Sequence, residues 1–247
     1  MIGPHLLGRT LEHDPASWNY AHTQGLVVKR NVYHTLNAPH LNQKRIGSCE
    51  GNTAAEFLNC AKALKNRQAY NDHDNLLGIQ RSLYLDEADA VRLYSAATHL
   101  DNDGIPGVYP PTDTGTSGVG IAKALQQAGA LSRYNWTFTW GAFLAALQAQ
   151  PVMLGTNWYE SMFEVTSKGY VVPPKSKLVD PDGGHAYLAH VLDWTHFRVG
   201  CTNHWVNDDE TPWGPKIGGY HGFWIDFLDL QRLLIHEQGD SLVPVLM

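Results

Sequence analysis

The stretch that decides the fold reads Gln43-Lys44-Arg45-Ile46-Gly47-Ser48-Cys49 and runs directly into a segment with helical periodicity. Apolar residues recur at spacings of three and four from residue 54 to residue 64, which predicts a helix over residues 49–68. A thiol at a helix N-terminus faces unpaired backbone N–H groups and the positive end of the helix dipole, and both favour the thiolate. Cys49 is therefore a candidate nucleophile with a lowered pKa. A cysteine packed as a small hydrophobe is the alternative.

Two polar residues further along the chain complete a candidate site. His185 follows Gly183 and Gly184 at the start of an apolar run, and two glycines leave room for a close approach of backbone or ligand. Asn203 follows a second apolar run, where its side-chain carbonyl can accept a hydrogen bond from an imidazole N–H. Acyl transfer through a thiol needs a nucleophile, a base, a group that orients the base and donors for the oxyanion. We therefore predict that His185 acts as the base for Cys49 and that Asn203 orients it.

The motifs around these residues resemble those of the papain-like cysteine peptidases. Residues 43–49 are similar to the family segment Gln-Gly-x-Cys-Gly-Ser-Cys, and residues 183–186 are similar to its histidine motif. Residues 203–205, with the later Trp-Gly and Gly-Tyr pairs, resemble its Asn-Ser-Trp-Gly segment. The order Cys, His, Asn and the spacings of 136 and 18 residues agree with the family. The resemblance spans residues 43–225, most of the chain.

The resemblance implies an α+β protein with the two-lobed papain-like fold. One lobe is helical, the other is an antiparallel β-sheet or barrel, and the active site lies in the cleft between them. As one domain, residues 1–247 divide into an N-terminal wrapping segment (1–48), a helical lobe (49–130) and a β-rich lobe (131–247).

The resemblance also implies hydrolysis of peptide bonds through a thioester on Cys49. Gln43 then belongs to the oxyanion hole, and Trp205 shields the hydrogen bond between His185 and Asn203. No cofactor and no metal are implied, and the partner is a peptide or protein substrate, a cell-wall peptide among the candidates. A looser match implies that four residues line the substrate cleft: Gly115, Thr116, Ser117 and Gly184.

The departures from the family pattern are informative. Ile46 replaces a cysteine, so the usual disulfide is not expected, and Lys44 replaces a glycine. Glu50 follows the nucleophile, where a carboxylate either opposes the thiolate or favours the imidazolium, depending on its orientation. Residues 207–210 are an insertion. Only 48 residues precede Cys49, so we expect no long inhibitory propeptide, as in compact bacterial- or phage-type members.

Sequence patterns predict further elements. One helix is predicted over residues 82–99, with Tyr84, Ala88, Val91 and Ser95 on one face. Two more are predicted to begin after the N-cap residues Ser117 and Thr139. A last helix is predicted over residues 228–237. Strands are predicted over residues 152–156, 185–192, 197–202 and 222–226.

Composition excludes several classes of function. A net charge of −6 argues against a nucleic-acid or anionic-membrane partner, because both require a basic face. No apolar run is long enough to span a membrane, and the first residues lack the pattern of a secretory signal. We therefore expect the chain to be made in the cytoplasm. Its final location, in a virion or after release by another route, stays open.

The odd number of cysteines predicts free thiols, with Cys60 and Cys201 in the core.

Two candidate metal motifs are weak. Residues 101–104 begin like a calcium loop but lack its later ligands, and residues 72–74 are predicted to be a polar loop.

A second class of function stays open, namely a catalytically silent papain-like module in a larger assembly. Resolution of the acyl-enzyme by an amine, which gives a transpeptidase, is a third. The sequence does not determine the oligomeric state.

Overall fold

The computed structural model describes residues 6–12, 15–23, 25–60, 84–101, 107–176 and 178–247. Within these ranges the α-helices are α1 (Cys49–Asn59), α2 (Glu87–Thr98), α3 (Gly118–Gln127), α4 (Trp140–Ala149) and α5 (Phe227–Gln231). The strands are β1 (Arg9–Thr10), β2 (Val32–Tyr33), β3 (Thr116–Ser117), β4 (Leu131–Trp136), β5 (Val152–Trp158), β6 (Gly183–Asp193), β7 (Arg198–Thr202), β8 (Lys216–Ile217), β9 (Tyr220–Asp226) and β10 (Asp240–Leu246). Short 3₁₀ helices cover Pro15–Tyr20 and Glu160–Met162, and a π-helical turn covers Arg232–His236.

The main sheet is antiparallel and carries eight strands in the order β4-β10-β5-β6-β7-β9-β8, with β2 paired to β6. Strand β6 lies near its centre and pairs with β5 on one side and β7 on the other. Its residues from His185 to Asp193 are all buried. β6 therefore holds His185 in the most constrained part of the sheet.

Three of the helices, α1, α2 and α3, pack together. α1 contacts α2, and α2 contacts α3, while α1 also packs against β6. Every residue of α1 is buried. α1 is therefore the central helix, and it joins the helical part of the chain to the sheet that carries His185.

Side-chain caps start several helices where the sequence predicts them. The Ser117 side chain accepts a hydrogen bond from the Gly120 N–H, and Thr139 does the same for the Ala142 N–H. Each cap satisfies a backbone donor that the first turn leaves unpaired. The predicted N-caps of α3 and α4 are confirmed.

The predicted apolar face of the helix over residues 82–99, observed as α2, is wrong. Ala88 is exposed in α2, whereas Leu93 and Tyr94 are fully buried beside Ala90 and Ala97. Burying Leu93 and Tyr94 removes more apolar surface from water than burying the small residues of the predicted face. The larger side chains therefore decide which side of α2 faces the core.

The four predicted strands are confirmed as β5, β6, β7 and β9, but sequence patterns missed β4 and β10. The predicted last helix is an α-helical turn followed by the π-helical turn. Helix α1 ends at Asn59, so Cys60 is the C-cap residue and does not lie within the helix. Cys60 belongs to the hydrophobic core, as predicted. The predicted extension of that helix beyond residue 60, residues 72–74 and part of the calcium-like loop lie outside the described residues. Within the described ranges, none of the helices has the length and hydrophobicity of a membrane span.

Candidate active site

Cys49 is the first residue of α1 and is fully buried. Burial, with a smaller effect of the neighbouring Glu50, raises the pKa of its thiol to about 12. Backbone N–H groups of Ala186, Gly8 and Glu50 lower it by hydrogen bonding to the sulfur, but less than burial raises it. The lowered pKa expected from the helix N-terminus is therefore wrong for this conformation.

His185 lies at the start of β6 and is also fully buried. Its Nε2 is 3.1 Å from Oδ1 of Asn203, which follows the end of β7. The indole of Trp205 stacks on the imidazole, with ring centroids 4.4 Å apart and planes inclined by 28°. Trp158 meets the same imidazole edge-on at 4.8 Å. Aromatic rings thus enclose the contact between His185 and Asn203, so water does not compete with that hydrogen bond.

The side chain of Gln43 is fixed at both ends of its amide. Its Oε1 accepts a hydrogen bond of 3.1 Å from Nε1 of Trp205. Its Nε2 donates to the carbonyl oxygens of Ile46 and Leu6, both at 2.9 Å. Because an indole N–H can only donate, the bond to Trp205 determines which end of the amide is the donor.

The backbone at Lys44 explains one departure from the family pattern. Lys44 has a φ of 52°, a left-handed conformation that glycine adopts without steric cost. The family glycine at this position therefore suits the turn that leads to Cys49, and here a lysine adopts it.

Residues 6–10, which we call the covering segment, lie across Cys49. Gly8 packs so closely on Gly47 that a Cβ atom at Gly8 would lie 1.9 Å from the Gly47 carbonyl oxygen. The Gly8 carbonyl accepts a 2.8 Å hydrogen bond from the Thr116 N–H, and β1 pairs with β3 in parallel. These residues therefore contribute to the complete burial of Cys49.

The residues predicted to line the substrate cleft surround the covering segment. Thr116 and Ser117 form β3, the pairing partner of β1. A Cβ atom at Gly115 would lie 2.0 Å from the Gly8 carbonyl oxygen, and one at Gly184 would lie 2.4 Å from that of Arg9. These four residues thus pair with or lie against residues 6–10.

Sequence reasoning predicted an N-terminal wrapping segment (1–48) but missed that residues 6–10 cover Cys49 and that Arg9 in this segment forms an ion pair. Arg9 donates from Nε and Nη2 to Oδ2 of Asp240, at 2.9 and 2.7 Å. Residues 6–10 carry no recognisable motif, and Asp240 opens β10, which was not predicted. The one available signal was Gly8, a glycine in a segment that the sequence reads only as extended.

A second buried polar group lies beneath the site. Glu56 of α1 accepts a 2.5 Å hydrogen bond from the Thr202 hydroxyl and lies 3.5 Å from Nδ1 of His204. Burial raises the pKa of Glu56 to about 7 and lowers that of His204 to about 3. Both residues are therefore mainly uncharged in mildly acidic solution.

Several other candidates have no part in this arrangement. His190 is buried further along β6, where its Nδ1 lies 3.1 Å from the His34 carbonyl oxygen. Cys60 and Cys201 are buried and form no disulfide, like Cys49. Among the described residues, no group of three His, Cys, Asp or Glu side chains is arranged to hold a metal ion.

Comparison with known proteins identifies the fold. No protein-family model matches the sequence, and no curated protein sequence matches it. Solved structures do match, among them xylellain, a cysteine protease from Xylella fastidiosa. It shares 17% identity over 98% of this chain and 96% of its own, with a TM-score of 0.57. The digestive procathepsin L2 proteinase from the Tenebrio molitor larval midgut shares 16% identity over 86% of this chain and 66% of its own, with a TM-score of 0.51.

At these identities the likeness defines the fold. The chain is an α+β protein with the papain-like, two-lobed fold, as the sequence resemblance predicted. Both matched structures are described as proteases.

Proposed function

We propose that this chain is a cysteine peptidase that hydrolyses peptide bonds through Cys49. The observation that carries the proposal is the position of His185. Its Nε2 pairs with Asn203, while the next peptide group along β6, the Ala186 N–H, hydrogen-bonds to the Cys49 thiol. Asn203 thus holds the imidazole at one nitrogen, and in this proposal Nδ1 exchanges the proton with the Cys49 thiol.

The reaction follows from these groups. Nδ1 of His185 takes the thiol proton, and the Cys49 thiolate attacks the carbonyl carbon of the substrate. The negative charge moves to the carbonyl oxygen, which accepts hydrogen bonds from Nε2 of Gln43 and the Cys49 N–H. His185 then gives its proton to the leaving amine, and the C–N bond breaks to leave a thioester. Water, deprotonated by His185, attacks the thioester and releases the carboxylate and the thiol.

Asn203 and Trp205 act through His185. Oδ1 of Asn203 accepts a hydrogen bond from the Nε2–H of His185, so Nδ1 is the unprotonated nitrogen of the neutral imidazole and is ready to act as a base. Trp205 covers this hydrogen bond and also holds the donor end of Gln43 toward the cleft. Trp205 therefore supports the base and the oxyanion donor together.

The runner-up function is a silent binding module with the same fold. The complete burial of Cys49 and its raised pKa favour this alternative. A module without turnover has no need, however, for an imidazole oriented by Asn203 or for a Gln43 amide whose donor end is fixed. The covering segment accounts for the burial without removing either group.

Alkylation at neutral pH tests the proposal. Iodoacetamide or an epoxysuccinyl reagent is added to the full chain, and the modified cysteines are identified by peptide mapping. We expect Cys49 to react before Cys60 and Cys201, and labelling to abolish cleavage of casein or of a fluorogenic peptide panel. Cys201→Ala serves as the matched control and should retain both reactivity and cleavage.

Two results would overturn the peptidase proposal. One is an unreactive Cys49 in a protein that cleaves nothing, and the other is cleavage that survives the Cys49→Ala change. An added amine acceptor separates hydrolysis from transpeptidation, because the acceptor appears in the product mass.

A further inference from the structure

The covering segment places a cationic side chain in an acidic pocket beside the nucleophile. The Arg9 side chain is only 2% exposed, and its guanidinium contacts the Asp240 carboxylate, whose side chain is 19% exposed. Nη2 of Arg9 also lies 3.4 Å from the Gln238 carbonyl oxygen. The pocket thus supplies a carboxylate and a backbone acceptor to one guanidinium.

Glycines make the room that a long side chain needs. A Cβ atom at Gly155 would lie 3.0 Å from Nε of Arg9, and one at Gly184 would lie 2.8 Å from its Cδ. A larger residue at either position would close the channel to Asp240. The pocket is therefore shaped to the aliphatic stem of Arg9 and to its charged end.

A second carboxyl group adds to the acidic character. Glu50 is 3% exposed, and within the described part of the chain its Oε1 has no hydrogen-bond partner. Burial and then the nearby Asp240 raise the pKa of Glu50 well above its ordinary value, while Arg9 lowers it. Glu50 directly follows Cys49, so a second carboxyl group that responds to the charge of the Arg9–Asp240 pair adjoins the nucleophile in the chain.

Stability alone does not account for this arrangement. Desolvation of a buried arginine and carboxylate costs about as much as their attraction returns, so such a pair is a weak source of stability. In a groove that a substrate must occupy, the same pocket selects a ligand by charge, because an uncharged side chain leaves the carboxylate unpaired.

We propose that Asp240 is a specificity-determining residue and that the cleft takes peptides with an arginine or lysine side chain in the pocket that Arg9 now fills. The inference rests on the proposed peptidase function. The basic residue belongs to the part of the substrate that lies against Thr116 and Ser117, because β1 pairs with that edge. Arg9 is the intramolecular occupant, and it leaves with the covering segment when a substrate binds.

The kinetic test uses pairs of fluorogenic peptides that differ only in arginine or citrulline, its uncharged isostere, at successive positions from the scissile bond. At one position we expect the wild-type chain to prefer arginine, with a kcat/KM for the arginine peptide about 30 or more times that for the citrulline peptide. Asp240→Asn should reduce that ratio to near one. Asp209→Asn, the same charge change in an exposed turn, should leave it intact.

The ratio distinguishes a specificity residue from a mere anchor of the covering segment. Loosening the segment changes kcat/KM for both peptides of a pair equally, so the ratio stays the same. An unchanged ratio in folded Asp240→Asn, or no preference for arginine in the wild type, would overturn the inference.

A binding test separates this inference from the peptidase proposal. Arg9→Ala in a full-length Cys49→Ala background empties the pocket without allowing turnover, and calorimetry measures the affinity for each peptide. We expect the arginine peptide to bind about 30-fold more tightly than its citrulline twin. That result would support the pocket even if no peptide were cleaved, and equal affinities would refute it. The kinetic test remains decisive if Arg9→Ala does not fold.

Discussion

The carbonyl oxygen of Leu6 accepts a 2.9 Å hydrogen bond from Nε2 of Gln43. In the proposed mechanism the same N–H stabilises the oxyanion of the substrate. In that mechanism a segment of the chain occupies the position of the substrate carbonyl, and it buries Cys49 while it does so. The proposal therefore makes the covering segment and a bound substrate mutually exclusive.

Displacing the covering segment should activate Cys49. In Gly8→Ala the added Cβ would clash with the Gly47 carbonyl oxygen at 1.9 Å, so the segment must move. A thiol whose pKa falls from about 12 toward the ordinary value of ~8.5 gains thiolate at neutral pH. We expect iodoacetamide to modify Cys49 at least about tenfold faster, and the rate of the wild type to rise steeply with pH.

The matched control for this change is Gly25→Ala. Its added Cβ would meet only the Ala145 Cβ, at 3.6 Å, which is an ordinary contact. If Gly8→Ala and Gly25→Ala leave Cys49 equally unreactive, the covering segment does not protect the thiol.

Replacing Asn203 by alanine should reduce turnover by about one to two orders of magnitude, because the imidazole loses the acceptor that fixes its tautomer. The loss should fall on kcat and shift the pH profile, and thermal melting should show a folded protein. Asn31→Ala, at an exposed position, provides the control. Full activity in the Asn203→Ala protein would remove this residue from the site.

Truncating Trp205 should affect both stability and activity. This buried indole stacks on His185 and donates to Gln43, and loss of a buried aromatic side chain to alanine costs about 3–5 kcal/mol. Trp205→Phe keeps much of the stacking but removes the hydrogen bond to Gln43. We expect Trp205→Phe to be folded with lowered kcat, whereas wild-type kcat in this variant would show that the bond to Gln43 is dispensable.

Glu56 should make stability depend on pH. Burial raises its pKa from 4.5 to about 7, so the folded chain holds a proton that the unfolded chain releases above about pH 4.5. Its contribution to stability is thus fully present below pH 4.5 and is lost as the pH rises through 7. The linked free energy of unfolding is on the order of 3 kcal/mol.

The Glu56→Gln variant tests this linkage, because glutamine keeps an oxygen to accept from Thr202 but has no proton to lose. Denaturant melts of both proteins between pH 4 and pH 8 give the difference in unfolding free energy. We expect the difference to shift steadily in favour of Glu56→Gln over that range. A constant difference would mean that Glu56 does not titrate between the two states.

Local patterns predicted much of the fold. Capping residues such as Ser117 and Thr139 act within a few residues of themselves, and the strand around His185 is apolar along its length because both faces of β6 are buried. These features depend on neighbours in the chain, so the sequence shows them directly. The missed strand β10 is defined by its pairing with β4 and β5, which lie about a hundred residues earlier and leave no local trace.

The sequence by itself determined the α+β papain-like class and the candidates Cys49, His185, Asn203 and Gln43, because motif spacing and residue chemistry are properties of the chain. Only the tertiary structure decided what surrounds them. Helix position predicts a lowered pKa for Cys49, yet burial under Gly8 outweighs the helix N-terminus, since desolvation depends on every segment packed above the thiol. The Arg9–Asp240 pair joins residues 231 positions apart, and no local pattern brings two such distant charges together.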